Sequence, residues 1–330
     1  MPLLCFRKKG IYCAQADVYI DPWRSVPKAL ITHGHSDHAR WGMGSYLCSQ
    51  DSVGILKHRL GKSISVAGLP YGESTTINGV KISFHPAGHV LGSAQIRLEY
   101  KGEIWVVTGD YKTVDDNIST PFEPVKCQHF ITETTFGLPV YKWQAQDQIF
   151  EDIAKWWSEN QSLGRASIIH AYSLGKSQRV LAGLPKNQGP IYVHPTIAQH
   201  NRLYEEAGII FPEHETLSAK IDKGELSKSM VIVPGMASEA GPLANLKSAS
   251  QAAASGWMQV RGARRRRNME RGFVLSDHAD WPGLNSAIEA TGAENIYVTH
   301  GYTQIMRDWL LHKGYKARIV ETEFGEEETA

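Results

Sequence analysis

The stretch Thr32-His33-Gly34-His35-Ser36-Asp37-His38 governs how the rest of the chain is interpreted. It places three imidazoles and one carboxylate within residues 33–38, directly after the short β-prone run Ala29-Leu30-Ile31. A strand is therefore predicted to end in a turn at Gly34 that carries metal ligands. Imidazole nitrogen and carboxylate oxygen together suit Zn²⁺ and similar divalent ions. A polar loop with coincidental histidines is the alternative, but 14 His in 330 residues rarely produce this spacing by chance.

The four ligand groups leave the chain in diverging directions, so one ion cannot easily use all of them. We expect His33 and His35 to serve one ion, and Asp37 and His38 to serve a second. Further candidate ligands also follow predicted strands, and these are Asp21, His89, Asp110, Glu133, His278 and His300. A lone His is more often structural or solvated. If these strand ends share one edge, however, the ordered set converges on one metal site.

Length and composition predict a soluble protein of about two domains. Hydrophobic residues make up 42% and charged residues 21%, which suffices for a sizeable core. The net charge of +1 is a sum of separated patches, an arginine run near residue 265 and an acidic C-terminus. Four dispersed cysteines and no recognisable signal peptide predict reduced thiols in the cytoplasm. No run approaches the roughly 18 apolar residues of a membrane span, so no membrane partner is expected.

The hydrophobic pattern changes near residue 130. Short strands precede it, with one helix predicted over residues 52–60, and they are typical of consecutive antiparallel strands in a sandwich-like sheet. After it, an amphipathic helix over residues 144–160 is followed by alternating strands and helices, which predicts a parallel α/β layer. Trp156 and Trp157 in that helix are predicted to pack in the core rather than to stack on bases.

The ordered set Asp21, the H-x-H-x-D-H stretch, His89 and Asp110 resembles the first four motifs of the metallo-β-lactamase superfamily. Glu133-Thr134-Thr135-Phe136-Gly137, Ser276-Asp277-His278-Ala279-Asp280 and Val298-Thr299-His300-Gly301 resemble the β-CASP nuclease branch. Within it the chain is most similar to bacterial ligase-associated DNA exonucleases, through Ser255-Gly256-Trp257-Met258, the arginine run and residues 272–281. The resemblance covers nearly the whole chain.

This resemblance implies an α/β fold. A metallo-β-lactamase αββα sandwich would be split over residues 1–138 and 273–322. A β-CASP α/β domain with a parallel sheet would be inserted at residues 139–272. Residues 323–330 form an acidic tail that is predicted to be disordered.

The resemblance also implies a role for each site residue. His33, His35 and His89 would hold one Zn²⁺, Asp37, His38 and His300 a second, and Asp110 would bridge them, with Mn²⁺ as the alternative ion. Asp21 would fix a ligand histidine from behind. His278, Glu133 and Asp37 would be the catalytic residues. Without the motif match, His278 and His300 could exchange the roles of acid and ligand.

The implied chemistry is hydroxide attack on phosphorus. Two cations about 3.5–4 Å apart lower the pKa of a shared water and neutralise the phosphodiester. His278, oriented by Glu133, would protonate the leaving oxygen.

Two further stretches are predicted to contact phosphate. Ser173 and Lys176 lie in a loop between a strand and a helix, where backbone N–H groups can face an anion, and a plain helix N-terminus is the alternative. A P-loop is rejected because the required upstream glycine position is His170. The other stretch is Arg264, Arg265, Arg266 and Arg267, predicted to clamp nucleic acid rather than to form a solvated turn.

The sequence thus predicts a two-metal phosphodiesterase, a DNA exonuclease of DNA repair that works with a DNA ligase and a helicase. The choice of DNA rests on the resemblance alone, and a ribonuclease of the same fold is the first alternative. A small-molecule metallo-hydrolase is disfavoured by the insert and the arginine run. A non-catalytic binding module is disfavoured because every expected ligand position is filled.

Overall fold

The computed structural model describes residues 2–218, 221–235, 248–260 and 269–323. The described residues up to Lys142, together with those from His278 to Glu323, form one compact unit, and Trp143–Asp277 form another. We call these the first unit and the second unit. Both combine strands with helices, so the chain is α/β as predicted. Arg264–Arg267 and all but the first residue of the predicted acidic tail lie outside the described residues.

The first sheet of the first unit has six strands that are neighbours in chain order. They are β1 (Leu4–Arg7), β2 (Gly10–Cys13), β3 (Val18–Ile20), β4 (Lys28–Leu30), β5 (Ser45–Ser49) and β6 (Val66–Leu69). β1 to β3 pair antiparallel, whereas β3 to β6 run parallel. The prediction of consecutive antiparallel strands is confirmed for β1 to β3 and wrong for β3 to β6. Residues 31–44 and helix α1 (Ser52–Leu60) supply crossovers of the length that parallel neighbours usually require, whereas β3 and β4 are joined by residues 21–27 alone.

The second sheet of the first unit has seven strands in the order β19-β18-β11-β10-β9-β8-β7. They are β7 (Ser74–Ile77), β8 (Val80–Pro86), β9 (Ala94–Tyr100), β10 (Glu103–Val107), β11 (His129–Thr134), β18 (Asn295–Gly301) and β19 (Lys316–Ile319). β7 to β10 form the predicted antiparallel meander, and β10, β11, β18 and β19 are parallel. Consequently β8, β10, β11 and β18 all end at the same edge of this sheet.

The second unit is built on a sheet in which every described pairing is parallel. Its strands are β12 (Ser167–His170), β13 (Ile191–Val193), β14 (Glu215–Thr216), β15 (Met230–Val233), β16 (Ser250–Ala254) and β17 (Arg271–Phe273). Its helices are α2 (Gln146–Ser162), α3 (Lys176–Ala182), α4 (Pro195–Glu206) and α5 (Lys223–Leu226). The strand–helix alternation of the sequence therefore predicted the parallel layer correctly.

Trp156 and Trp157 of α2 lie in the core of the second unit, as predicted. Their side chains are 4% and 0% exposed and pack with residues of β12 and β15, including Ile169 and Ile232. Each indole N–H also has a partner, since Trp157 Nε1 donates to the Lys228 carbonyl at 3.0 Å and Trp156 Nε1 contacts Ser250 Oγ at 3.2 Å. A buried indole needs such an acceptor, so these two residues are fixed by both packing and hydrogen bonding.

The two sheets of the first unit enclose a common core. Leu4, Ile20 and Leu30 of the first sheet pack in one cluster with Phe84 and Trp105 of the second. Helix α1 covers the other face of the first sheet, while α6 (Trp281–Thr291) and α7 (Thr303–His312) cover the other face of the second. Among the described residues, no helix is long and apolar enough to cross a membrane.

Truncating Trp157 to Ala should destabilise the chain by about 3–5 kcal/mol, because it removes a fully buried ring and leaves a cavity. Denaturant unfolding followed by circular dichroism measures the loss. Leu163→Ala, just past the same helix at a side chain that is 68% exposed, is the control and should change stability by less than about 0.5 kcal/mol. Equal losses for the two variants would contradict the core assignment.

Candidate metal centre

The predicted ligands of the first unit gather into three groups, two of which share Asp110. The groups are His33, His35, His89 and Asp110; Asp37, His38 and His300; and Asp110, Glu133 and His278. Within each group the candidate ligand atoms all lie within 4.8 Å of one another. All of these residues except His300 are buried. Asp21 lies beside these groups, because its carboxylate contacts His38. The fold therefore brings together residues up to 279 positions apart in the chain, from Asp21 to His300.

Asp110 lies between the first two groups. Its Oδ2 is 3.5 Å from His33 Nε2 and 3.7 Å from His89 Nε2, whereas its Oδ1 is 3.6 Å from His38 Nε2. The two oxygens of one carboxylate thus face two different sets of imidazoles. Asp110 follows β10 after Gly109, which has a φ of +57° and lies against the Thr32 side chain, so a larger residue there would displace Thr32.

Several buried polar atoms of this cluster have unmet hydrogen-bonding capacity. Nε2 of His33 and both carboxylate oxygens of Asp110 find no hydrogen-bond partner among the described residues. Leaving such groups buried and unsatisfied is costly. A divalent cation that accepts imidazole nitrogen and carboxylate oxygen would satisfy all three atoms. The donor set, its burial and these atoms together fit a divalent-metal site.

Two histidines of the cluster have pKa values shifted in opposite directions. Burial, and then the neighbouring imidazoles, hold the pKa of His33 well below its usual value. Burial would also lower the pKa of His38, but Asp37, Asp110 and Asp21 outweigh it and raise that pKa to about 10. A proton on His38 therefore compensates the same carboxylates that a metal ion would. Binding of an ion should release that proton.

Asp21 and Thr32 hold His38 and His33 from behind. Asp21 Oδ2 is 2.8 Å from His38 Nδ1, and Asp21 Oδ1 accepts the Thr32 N–H at 2.8 Å. The Thr32 hydroxyl donates to Asp21 Oδ2 and lies 3.1 Å from His33 Nδ1. Nδ1 of His38 is therefore engaged and its Nε2 is directed at Asp37 and Asp110. Sequence reasoning missed Thr32, although its hydroxyl directly precedes the first ligand.

Glu133 and His278 form a buried pair beside the cluster. His278 Nδ1 lies 2.9 Å and 3.0 Å from the two carboxylate oxygens of Glu133. The backbone N–H of Tyr111 and both the N–H and hydroxyl of Thr135 also donate to this carboxylate. Burial opposes ionisation of Glu133, but His278 and these donors outweigh it and lower the pKa of the carboxyl. An ionised Glu133 therefore fixes the orientation of the His278 ring.

The sequence predicts that each candidate ligand directly follows the end of a strand. This prediction is wrong at three positions. Glu133 and His300 lie inside β11 and β18, one residue before the end of each strand. A register shift between these strands at Glu133/Thr134, and a φ of +55° at His300, turn the chain there. His278 lies five residues beyond the end of β17 and just before α6. An irregular backbone of this kind leaves no periodic signal in the sequence.

The structure describes two of the residues that are predicted to contact phosphate, Ser173 and Lys176. Lys176 is only 3% exposed, and its Nζ is 3.6 Å from Asp277 Oδ2, so that pair would have to open before the ammonium could meet a phosphate. The Ser173 carbonyl is 2.9 Å from His200 Nδ1. Both residues stay predictions as phosphate ligands. So does the clamp of Arg264–Arg267, which falls outside the described residues.

Comparison with known proteins gives distant but consistent relatives. No protein-family model matches the chain. A probable DNA ligase of Opitutus terrae is 30% identical over 93% of the chain and 30% of that protein. An RNase J-like protein of Methanocaldococcus jannaschii is 29% identical over 34% of the chain and 27% of that protein. Cleavage and polyadenylation specificity factor 73 of Drosophila melanogaster is 23% identical over 52% of the chain and 27% of that protein.

The chain is related to the β-CASP nucleases of the metallo-β-lactamase superfamily. It spans less than a third of the length of each of these three relatives. The fold is also similar to that of a protein of unknown function from Enterococcus faecalis, with a TM-score of 0.60 and 12% identity over 90% of this chain and 80% of that one.

Replacing Asp110 by Asn should remove most of the divalent-ion affinity, because one carboxylate faces both groups of imidazoles. Asp21→Asn should weaken it by about 10–100-fold, since Asp21 only orients a ligand. Equilibrium dialysis followed by elemental analysis measures both. The control is Asp115→Asn, an exposed carboxylate outside the cluster. Full retention of metal in Asp110→Asn would show that the ion is held elsewhere.

Proposed function

We propose that the chain is a metal-dependent hydrolase of phosphodiester bonds in nucleic acid, acting as a DNA exonuclease in repair. The observation that carries this proposal is the Glu133–His278 pair beside the His/Asp cluster. A metallo-hydrolase of thioesters expels a thiolate and has no need of such an acid, whereas the alkoxide that leaves a phosphodiester is strongly basic and must be protonated. The names of the relatives support nucleic acid as the substrate.

The proposed assignment of the ligands follows the geometry of the cluster. His33, His35 and His89 would hold one ion, and Asp37, His38 and His300 a second, with Asp110 shared between them. Imidazole and carboxylate donors favour Zn²⁺, and Mn²⁺ is the alternative. Ions held there would polarise the phosphodiester and lower the pKa of a water molecule. His300 groups with Asp37 and His38, whereas His278 Nδ1 lies against both carboxylate oxygens of Glu133, which supports His300 as a ligand and His278 as the acid.

The role of His278 follows from which of its nitrogens is occupied. Nδ1 faces the Glu133 carboxylate, so Nε2 is the nitrogen left to deliver a proton to the leaving oxygen. To donate from Nε2 while Nδ1–H donates to Glu133, the ring must be the imidazolium. The ionised carboxylate of Glu133 stabilises that charged form. Asp37 completes the proposed catalytic residues by holding its ion next to His38.

We also propose that the first unit is the αββα sandwich of the superfamily, near residues 1–138 and 273–322, and that residues 139–272 are the β-CASP insert. The two compact units and the helices on the outer faces of the two sheets support this division. Expression of residues 139–272 alone tests it. A fragment that unfolds cooperatively is expected, and a fragment without secondary structure would contradict an independent insert.

The preference for DNA and the link to ligation are supported by the relative from Opitutus terrae. A protein named for DNA ligation contains a region similar to 93% of this chain, and that region is 30% of its length. A region similar to this chain and a ligase in one polypeptide would act on the same DNA end, which favours DNA as the substrate. A ribonuclease remains the second candidate because the RNase J-like protein matches 34% of the chain. Co-purification of a tagged chain from its own cells tests the proposed ligase and helicase partners, and absence of both would contradict them.

End-labelled oligonucleotides discriminate between these candidates. The metal-loaded protein is incubated with single- and double-stranded DNA and RNA that carry a 5′-phosphate or a 5′-hydroxyl. A ladder that shortens one nucleotide at a time on DNA supports the exonuclease. Internal cuts in RNA would support the ribonuclease instead. No cleavage of any strand with either Zn²⁺ or Mn²⁺ would contradict both.

His278→Ala should lower turnover by about 10²–10⁴-fold, the usual contribution of general acid–base catalysis, and leave the bound metal unchanged. The nuclease assay gives the first quantity and elemental analysis the second. His58→Ala, at an exposed histidine of α1, is the matched control and should alter neither. Loss of metal from the His278 variant would assign it to ligation rather than to proton transfer.

A further inference from the structure

A large cavity opens at one side of the first unit, and none of its lining residues belongs to the metal cluster. Its volume is about 780 Å³, within the range of about 300–1,000 Å³ that is typical of ligand pockets. It lies between β1 and β19, which are the edge strands of the first and second sheets. We call it the edge pocket.

The edge pocket combines basic groups with exposed aromatic surface. Its basic lining residues are Arg7, Lys8, Arg24 and Arg318, against the acidic Glu321 and Glu323. Phe6 is 39% exposed, and its ring centroid is 5.8 Å from that of Tyr297. Positive charge with an aromatic platform is the composition that binds single-stranded nucleic acid, because cations meet the phosphates and rings stack on bases. A site for an apolar ligand would not need four cations.

Arg24 already holds an anionic group in this pocket. Its two terminal nitrogens donate to the two carboxylate oxygens of Glu323, at 2.5 Å and 3.0 Å. This forked geometry is the one that a guanidinium uses for a phosphate. The two side chains are 54% and 47% exposed, so the pair is weak and a phosphate can displace the carboxylate. Arg318 is also exposed and makes no ion pair with a carboxylate of the described residues.

Arg40 connects the edge pocket to the metal cluster. Its terminal nitrogen donates to the Glu323 carbonyl at 2.8 Å, while its Nε donates to the Asp37 carbonyl at 3.4 Å. Trp23 and Arg24 of the pocket follow Asp21, the partner of His38, by two and three residues. The wall of the pocket is therefore continuous with the loops that carry the metal ligands.

We propose that the edge pocket binds the single strand next to the scissile phosphodiester, with Arg24 and Arg318 on its phosphates and Phe6 against a base. Glu323 occupies Arg24 until the strand arrives. The inference rests on the proposed nuclease function, since it names where the substrate of that site lies. An acidic protein segment added along an edge strand is the competing occupant, and it predicts no effect of the pocket on nucleic-acid affinity.

The two members of the Arg24–Glu323 pair give the sharpest test. Fluorescence anisotropy measures binding of a labelled phosphorothioate oligo-dT to the metal-loaded chain of 330 residues at several salt concentrations. Arg24→Gln and Arg318→Gln should each weaken binding and reduce the slope of log K against log salt by about 0.7, the value for one phosphate contact on a single strand. Glu323→Gln should tighten binding, because it frees Arg24. Lys316→Gln is the control, an exposed cation on the same strand β19 that does not line the pocket.

The outcomes separate this inference from the nuclease function. If Arg24→Gln and Glu323→Gln shift the affinity in the same direction, the pair is only structural and the inference is overturned. It is also overturned if Arg318→Gln behaves like Lys316→Gln while wild-type protein still binds and cleaves DNA. In both cases the nuclease function stands. If wild-type protein neither binds nor cleaves any strand, both proposals fail.

Discussion

The buried carboxylate of Asp110 is the constraint around which the first unit is organised. It is 1% exposed, and its two oxygens face imidazoles of two different ligand groups without a hydrogen-bond partner among the described residues. Burial raises the pKa of Asp110, while His38 acts in the opposite direction. A carboxylate in such a place is tolerated only if positive charge lies next to it. A protonated His38, or a divalent cation held by this cluster, would supply that charge.

The backbone around this carboxylate is bent where the ligands need it. Asp21 and His300 have φ values of +41° and +55°, which are uncommon outside glycine. Gly301, with a φ of +79°, lies so close to Thr134 and Thr135 that a side chain would clash with their backbone. Strained positions of this kind concentrate at functional sites, because the surrounding sheets hold them in place. The strand pairing of β11 with β18 therefore supports the site as much as the ligands do.

The second unit holds the segment that leads into His278. The Arg179 guanidinium of α3 donates to the Ser276 carbonyl and lies 3.5 Å from Asp277 Oδ1, and Lys176 Nζ is 3.6 Å from Asp277 Oδ2. All of these side chains are almost fully buried. Two cations on one buried carboxylate fix the residue that precedes the proposed general acid. Lys176, which the sequence predicts to contact a phosphate, thus pairs in this structure with the residue that precedes His278.

The sequence by itself determined the types of donor, their order and their placement near strand ends, because imidazole, carboxylate and short apolar runs are visible without a partner. The bounds of helix α1 could also be predicted from the sequence without error, as could the burial of Trp156 and Trp157 in a core. Only the tertiary structure decided that Asp110 faces two ligand groups, that β3 to β6 run parallel, that Lys176 is buried, and that Glu323 lies on Arg24. These facts depend on contacts between segments up to 299 residues apart, and the geometry of sheet pairing, not local pattern, sets such contacts.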